Sequence, residues 1–193
     1  MADVDKRALI TELRAEIART VAVLSRAAAD AREAATHEEA KPENDKDTRA
    51  VEAAYLAGAQ ADRARDLERT ASALGSLDLR AFGPAAVITS SALIEVDLEG
   101  ARQHYFLAPQ GGGLRAGVGG VMVQVITPQS ALGRELLGKT EGDTVDVTVQ
   151  GRARSYEIVR VSSPGGPVRH AARDMETGHP PRRARQLRRV RRR

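Results

Sequence analysis

Five carboxylates crowd into one short stretch of this chain, Thr36-His37-Glu38-Glu39-Ala40-Lys41-Pro42-Glu43-Asn44-Asp45-Lys46-Asp47. Glu38, Glu39, Glu43, Asp45 and Asp47 repel one another at neutral pH, and solvent, a cation or a basic partner must relieve that repulsion. Carboxylate oxygens suit a hard divalent ion such as Mg2+, which takes one or two carboxylates from a protein and keeps other positions for water or substrate. The plain alternative is a solvated acidic cap on a loop.

Two helix-forming segments flank this stretch and present it at the end of a hairpin. Lys6 to Ala35 contains no Gly or Pro, and Ile10, Leu13, Ile17, Val21, Leu24, Ala28, Ala31 and Ala35 recur at steps of three or four. About 30 residues at 1.5 Å each make a rod of roughly 45 Å. The side chains shrink from Ile and Leu to Ala toward the far end, so less apolar area is buried there. The second helix is predicted from Thr48 to Leu77, with Asp47 as N-cap and Val51, Tyr55, Leu67, Ala71 and Leu74 on its inner stripe. Gly58 weakens it by about 1 kcal/mol relative to Ala. A short connection between helices of similar length predicts an antiparallel pair. On periodicity alone a dimerisation or bundle element is the more common reading of such a pair.

The pattern changes at Phe82-Gly83-Pro84. Beyond it Ile94, Val96 and Leu98 alternate with Glu95 and Asp97, and Val145, Val147 and Val149 alternate with Asp146 and Thr148, the period of half-buried strands. Further strands are expected at Val87-Ile88, Tyr105 to Leu107, Val121 to Ile126 and Tyr156 to Val161. Gly111 to Gly120 reads as a flexible hairpin connection. A short helix is expected from Pro128 or Ser130 to Leu137, capped by Thr127 or Ser130 and stopped by Gly138, with Leu132, Leu136 and Leu137 facing the core. The fold class is α+β: an antiparallel helical hairpin over 1–81, a small antiparallel β domain with one short helix over 82–163, and a disordered basic tail over 164–193.

Hydrophobic residues make up 41% of the 193, but aromatics only 3%, so the core must be aliphatic. The absence of cysteine excludes disulfides and thiolate metal sites. His37, His104, His170 and His179 lack the spacing of a zinc site. No apolar run approaches the ~20 residues of a membrane span and no signal peptide opens the chain, so a cytoplasmic protein without membrane contact is expected. The glycine-rich stretch lacks the Lys-Ser/Thr ending of a phosphate loop, and Phe82, Tyr105, Phe106 and Tyr156 are too few aromatics for a prolyl isomerase pocket. Residues 164–193 hold ten Arg against Asp174 and Glu176, a balance of +8 that leaves −4 for the preceding 163 residues out of +4 overall. The run from Arg182 to Arg193 suits nonspecific phosphate contact with nucleic acid, with affinity that falls as salt rises, or else a passive solvated extension.

The block Val125-Ile126-Thr127-Pro128-Gln129-Ser130-Ala131-Leu132-Gly133-Arg134-Glu135-Leu136-Leu137-Gly138, followed by Gly142-Asp143 and Tyr156-Glu157-Ile158-Val159, resembles the C-terminal domain of Gre-type transcript cleavage factors. The hairpin ahead of it, with Lys41-Pro42-Glu43-Asn44 at its tip, resembles their N-terminal domain, so the resemblance spans roughly residues 5 to 162. It implies an FKBP-like C-terminal domain that docks at the rim of the secondary channel of bacterial RNA polymerase. It also implies a monomer whose hairpin enters the channel beside the nascent RNA. Two tip carboxylates, matching Glu39 and Glu43, would share a Mg2+ ion with the polymerase and promote cleavage of backtracked RNA. No cofactor is expected on the chain alone, which would be no enzyme itself but would stimulate the polymerase's intrinsic activity.

Glu38, Asp45 and Asp47 are alternatives to these two. The family tip separates an Asp and a Glu by two residues, whereas here Glu replaces Asp and Pro42 adds a residue to the spacing. Ala131 stands where the family commonly has Pro, and Gln110-Gly111-Gly112-Gly113 where its loop is more often acidic. Thr127, Gln129, Ser130 and Arg134 are the expected polymerase contacts. A noncatalytic channel regulator, or a coiled-coil adaptor unrelated to transcription, is the alternative function.

Overall fold

A computed structural model of the chain describes residues 4–36, 49–83, 85–149 and 151–162. Two long helices, α1 (Lys6–Thr36) and α2 (Arg49–Gly75), precede strands β1 (Leu93–Leu98), β2 (Ala101–Leu107), β3 (Arg115–Val118) and β4 (Val121–Ile126). A short helix α3 (Ala131–Leu136) and strands β5 (Thr144–Val149) and β6 (Arg152–Ser162) complete the order. The architecture is α+β. Asp47 and the tail 164–193 lie outside the described residues.

The helices run antiparallel, with the Arg14 guanidinium over Gly75 and Ile17 and Val21 beside Glu68 and Ala71. As expected, α1 buries Ile10, Leu13, Ile17 and Ala28 along one stripe, together with Leu9. The inner stripe of α2 differs from the expected one. Leu74 is buried and Leu67 and Ala71 pack at its edge, but Val51 is 54% and Tyr55 77% exposed, and Ala57 and Ala64 take the inner positions. Alanine on both helices lets the backbones approach closely, so the larger side chains turn outward. Burial of Ala against Ala contributes less per residue than the roughly 1.5–3 kcal/mol of a buried Leu or Ile.

The sheet has six strands in the order β3-β4-β2-β1-β6-β5. It is mixed, not antiparallel: β2 and β4 are parallel, paired from His104↔Val123 to Leu107↔Ile126. The chain leaves β2, lays β3 down one position beyond, and returns through β4 into the gap. Two-residue turns close β1 to β2 at Glu99-Gly100 (φ 54° and 84°) and β3 to β4 at Gly119-Gly120 (φ 62° and 82°), the left-handed pair that matches strand twist. Gly111 to Gly120 is therefore no flexible connection. It contains β3, and Gly111 (φ 85°) packs so near α2 that a Cβ would lie 3.3 Å from the Thr70 methyl. Val87-Ile88 is not a strand, since Ile88 makes an isolated pair of backbone bonds with Gly138 and Lys139.

Each face of the sheet carries its own core. On one face Ile94, Val96, Tyr105, Leu107, Val145, Tyr156 and Ile158 pack with Leu136 of α3 and with Ile88 and Phe82 of the connector. On the other, Leu93, Phe106, Val123 and Val125 meet Leu9, Leu13 and Ile17 of α1 and Leu74 of α2. The hairpin base thus completes the core of the sheet.

Lys6 closes this junction. It is wholly buried, its Nζ donates to the Arg80 carbonyl at 3.0 Å, and it stands 4.4 Å from the centre of the Phe82 ring. The next turn of the connector is held by Ser91, also buried and left-handed (φ 68°), whose hydroxyl accepts from Arg80 N at 2.9 Å. Burial lowers the Lys6 ammonium from 10.5 to about 8. The unfolded chain then binds more protons than the native one between about pH 8 and 10.5. Stability measured against a Lys6→Met variant should therefore rise with pH through that window, and chemical denaturation at stepped pH checks it. A difference that stays flat would contradict the buried ammonium.

Candidate functional site

The expected tip carboxylates Glu38, Glu39, Glu43, Asp45 and Asp47 lie outside the described residues, as does Arg182 to Arg193. Among the described residues no group of three His, Asp or Glu side chains could hold a metal ion. What the fold does display is the second expected site, the turn that leads from β4 into α3.

Ser130 is the N-cap of α3, and its hydroxyl is engaged in both directions. It donates to the Thr127 carbonyl at 2.7 Å and accepts from Gly133 N at 3.0 Å, while Ser130 N also donates to Thr127 O at 3.0 Å. Arg134 folds back so that Nη1 donates to the Gln129 carbonyl at 3.0 Å. Gln129 and Arg134 are exposed, whereas Thr127 and Ser130 are half-buried. The four expected contact residues are brought together, but two of them present side chains outward and Ser130 spends its hydroxyl on the turn.

Gly133 was not singled out from the sequence, yet it sets the geometry of this turn. A Cβ there would lie 2.0 Å from Thr127 O and 2.8 Å from Ser130 Oγ, so no larger residue fits. The cap spacing from Ser130 places the Gly133 N–H on the cap oxygen whatever its side chain, but the need for glycine comes from the Thr127 carbonyl that the turn brings against it. Leu136 is buried and Leu132 partly so, but Leu137 is 45% exposed, because the helix ends there in an extended C-cap and Gly138 (φ 83°) reverses the chain. The following turn is pinned by Asp143, whose carboxylate accepts from Thr140 N at 2.8 Å; that bond, then one from the Thr140 hydroxyl, holds its pKa below the ordinary carboxylate value. Gly112 links the site to the hairpin, because it passes under the Thr127 methyl with room for no more than 3.1 Å to an added Cβ, while the adjacent Gly111 rests on Thr70 of α2.

Residues 120–163, which run from the turn before β4 through α3 to the end of β6, match the family model for the C-terminal part of the transcription elongation factors GreA/GreB. Among solved structures the chain is similar to the GreA factor homolog 1 (Gfh1) of Thermus thermophilus, at 17% identity over 80% of this chain and 94% of that one, with a TM-score of 0.35. It is similar to Thermus aquaticus Gfh1 at 15% identity over 78% and 92%, TM-score 0.33. It is also similar to the GreA/GreB elongation factor from Nitrosomonas europaea at 19% identity over 50% and 78%, TM-score 0.32. Likenesses this distant carry no argument. No curated protein sequence matches the chain. No helix among the described residues is long and apolar enough to cross a membrane.

If the turn depends on the space at Gly133, then Gly133→Ala should destabilise the protein by more than about 2 kcal/mol, in the range of overpacked sites. Ser130→Ala should cost about 1 kcal/mol, as for a lost N-cap. Denaturant melts read both, and equal small effects would show that the turn relaxes.

Proposed function

We propose that this chain is a Gre-type transcription factor that binds bacterial RNA polymerase as a monomer and reaches into its secondary channel. The observation that carries the reading is the family match of residues 120–163, which contains the rigid turn presenting Gln129 and Arg134. The pair of long helices based on the same sheet supports it, since a shaft built on the docking element converts docking into reach. In this reading the sheet and α3 form an FKBP-like docking domain, with Thr127, Gln129, Ser130 and Arg134 at the polymerase rim.

In this reading Glu39 and Glu43, near the nascent RNA, would be the residues that hold a Mg2+ ion shared with the polymerase. When bound, such an ion would help activate water and stabilise the leaving oxygen of an in-line displacement. The chain supplies ligands, and the catalytic centre is the polymerase's own. A noncatalytic channel regulator is the second reading, favoured by one sequence observation: Pro42 adds a residue between Glu39 and Glu43 and disfavours helix at Lys41.

Stalled elongation complexes with labelled RNA distinguish the two. Under the first reading the protein causes Mg2+-dependent RNA shortening, and Glu39→Ala or Glu43→Ala slows it on the order of a hundredfold, the scale of losing several kcal/mol of transition-state stabilisation. Tight polymerase binding with unchanged RNA supports the regulator, and failure to bind purified polymerase overturns both. Deleting residues 164–193 should flatten the salt dependence of binding, because ten Arg leave with them. An unaltered salt slope would make the tail a passive extension.

A further inference from the structure

We propose that a polar cleft on the sheet, separate from the Gln129 and Arg134 turn, binds the carboxylate side chains of an acidic protein segment. The cleft lies over β2, β4 and β3 and encloses about 320 Å³. Tyr105, Gln124 and Arg115 stand in register across the three strands, and Met122 pairs with Gly117 in the next row. Among the described residues no helix packs over this part of the face: α3 and the connector pack over the other half, and Met122 is left 60% exposed.

The lining selects for an anion. It contains guanidinium, imidazole, phenol and carboxamide groups and no carboxylate. The Tyr105 hydroxyl donates to Gln103 Oε1 at 2.5 Å, which leaves the Gln103 amide N–H groups to face a ligand. Arg102 at the rim is held by Asp97 at 3.4 Å, whereas Arg115 has no ion-pair partner among the described residues. Burial, then the neighbouring Tyr156, push the Tyr105 phenol above its ordinary value, and the charges of Arg115 and Arg154 oppose them. Glu12 and Glu16 of α1 line the adjoining groove on the far side of Arg115, where Arg19 pairs with Glu16 at 2.6 Å.

Charge complementarity and stacking choose the occupant. Single-stranded nucleic acid is held chiefly by aromatic platforms under its bases, and the rings nearest this cleft, Tyr105 and Tyr156, are buried in the core. A glutamate needs only a fork of N–H donors for its oxygens and an apolar surface for its methylenes, here Arg115 with Gln124 and the Met122 side chain.

Residue-resolved amide NMR of the full chain, titrated with a short oligoglutamate peptide, tests this without polymerase. Saturable shifts are expected at Gln103, Met122 and Gln124, and Arg115→Ala should weaken them about tenfold, the equivalent of ~1.4 kcal/mol. Arg63→Ala, an exposed arginine on α2, should leave them unchanged, and binding along the basic tail would shift other amides. If Arg115→Ala disturbs the sheet, Gln124→Leu should give the same loss with the fold intact. Absent shifts at the cleft, or shifts indifferent to Arg115 and Gln124, overturn the proposal. So does an equal response to inorganic phosphate, which would make this a free-anion site, or a stronger one to oligouridylate, which would make it a nucleic-acid site.

Discussion

The contact on which the molecule depends is the apolar layer between the base of α1 and the sheet. Leu9, Leu13 and Ile17 lie against Phe106, Val123 and Val125, and Leu74 of α2 closes the same layer. Without it the sheet would expose one face and the helix pair would hold together mainly through alanines. Each large side chain removed from water there contributes roughly 1.5–3 kcal/mol, more than any exposed ion pair on the shaft, such as Arg65 with Asp62 or Arg69 with Asp66. A buried lysine at this junction costs desolvation, which its carbonyl and ring contacts offset only in part, as the lowered affinity for its proton indicates. Lys6 is thus a fixing point: its donor and its ring contact are satisfied at one relative position of helix and connector.

The same junction ties the two ends of the proposed mechanism together. Gly111 and Gly112 pass between α2 and the β4–α3 turn with almost no spare room, so the shaft and the turn that presents Gln129 and Arg134 share one loop. Glycine is at home in the left-handed region at Gly111, and at both positions the missing Cβ keeps the approach free of crowding. A loop of larger residues would hold the two apart.

Much of this architecture was legible in the chain because its signals are local. The α1 stripe, the alternation in β1 and β5, the Ser130 cap and the stop at Gly138 each follow from spacing and residue type. What escaped is nonlocal or rests on small residues. β3 spans four residues with a glycine among them, too short for a period to register, and the parallel β2–β4 pairing depends on where the chain returns and not on any motif in it. Val51 and Tyr55 were misplaced because hydrophobicity favours them inside, while close helix approach at Ala57 and Ala64 excludes them. Leu137 is apolar by type but falls where the helix has already ended. The polar cleft was invisible since Gln103, Gln124 and Arg115 come from three strands. The acidic stretch remains a reading of sequence, lying beyond the described residues.

The change from leucine and isoleucine at the base of the shaft to Ala28, Ala57 and Ala64 farther out grades its resistance to fraying. Separating the outer turns uncovers little oily surface, whereas parting the inner ones breaks into the core of the sheet. The outer turns around Ala28 and Ala57 therefore open at lower cost than the base, and such opening need not propagate to the anchored end.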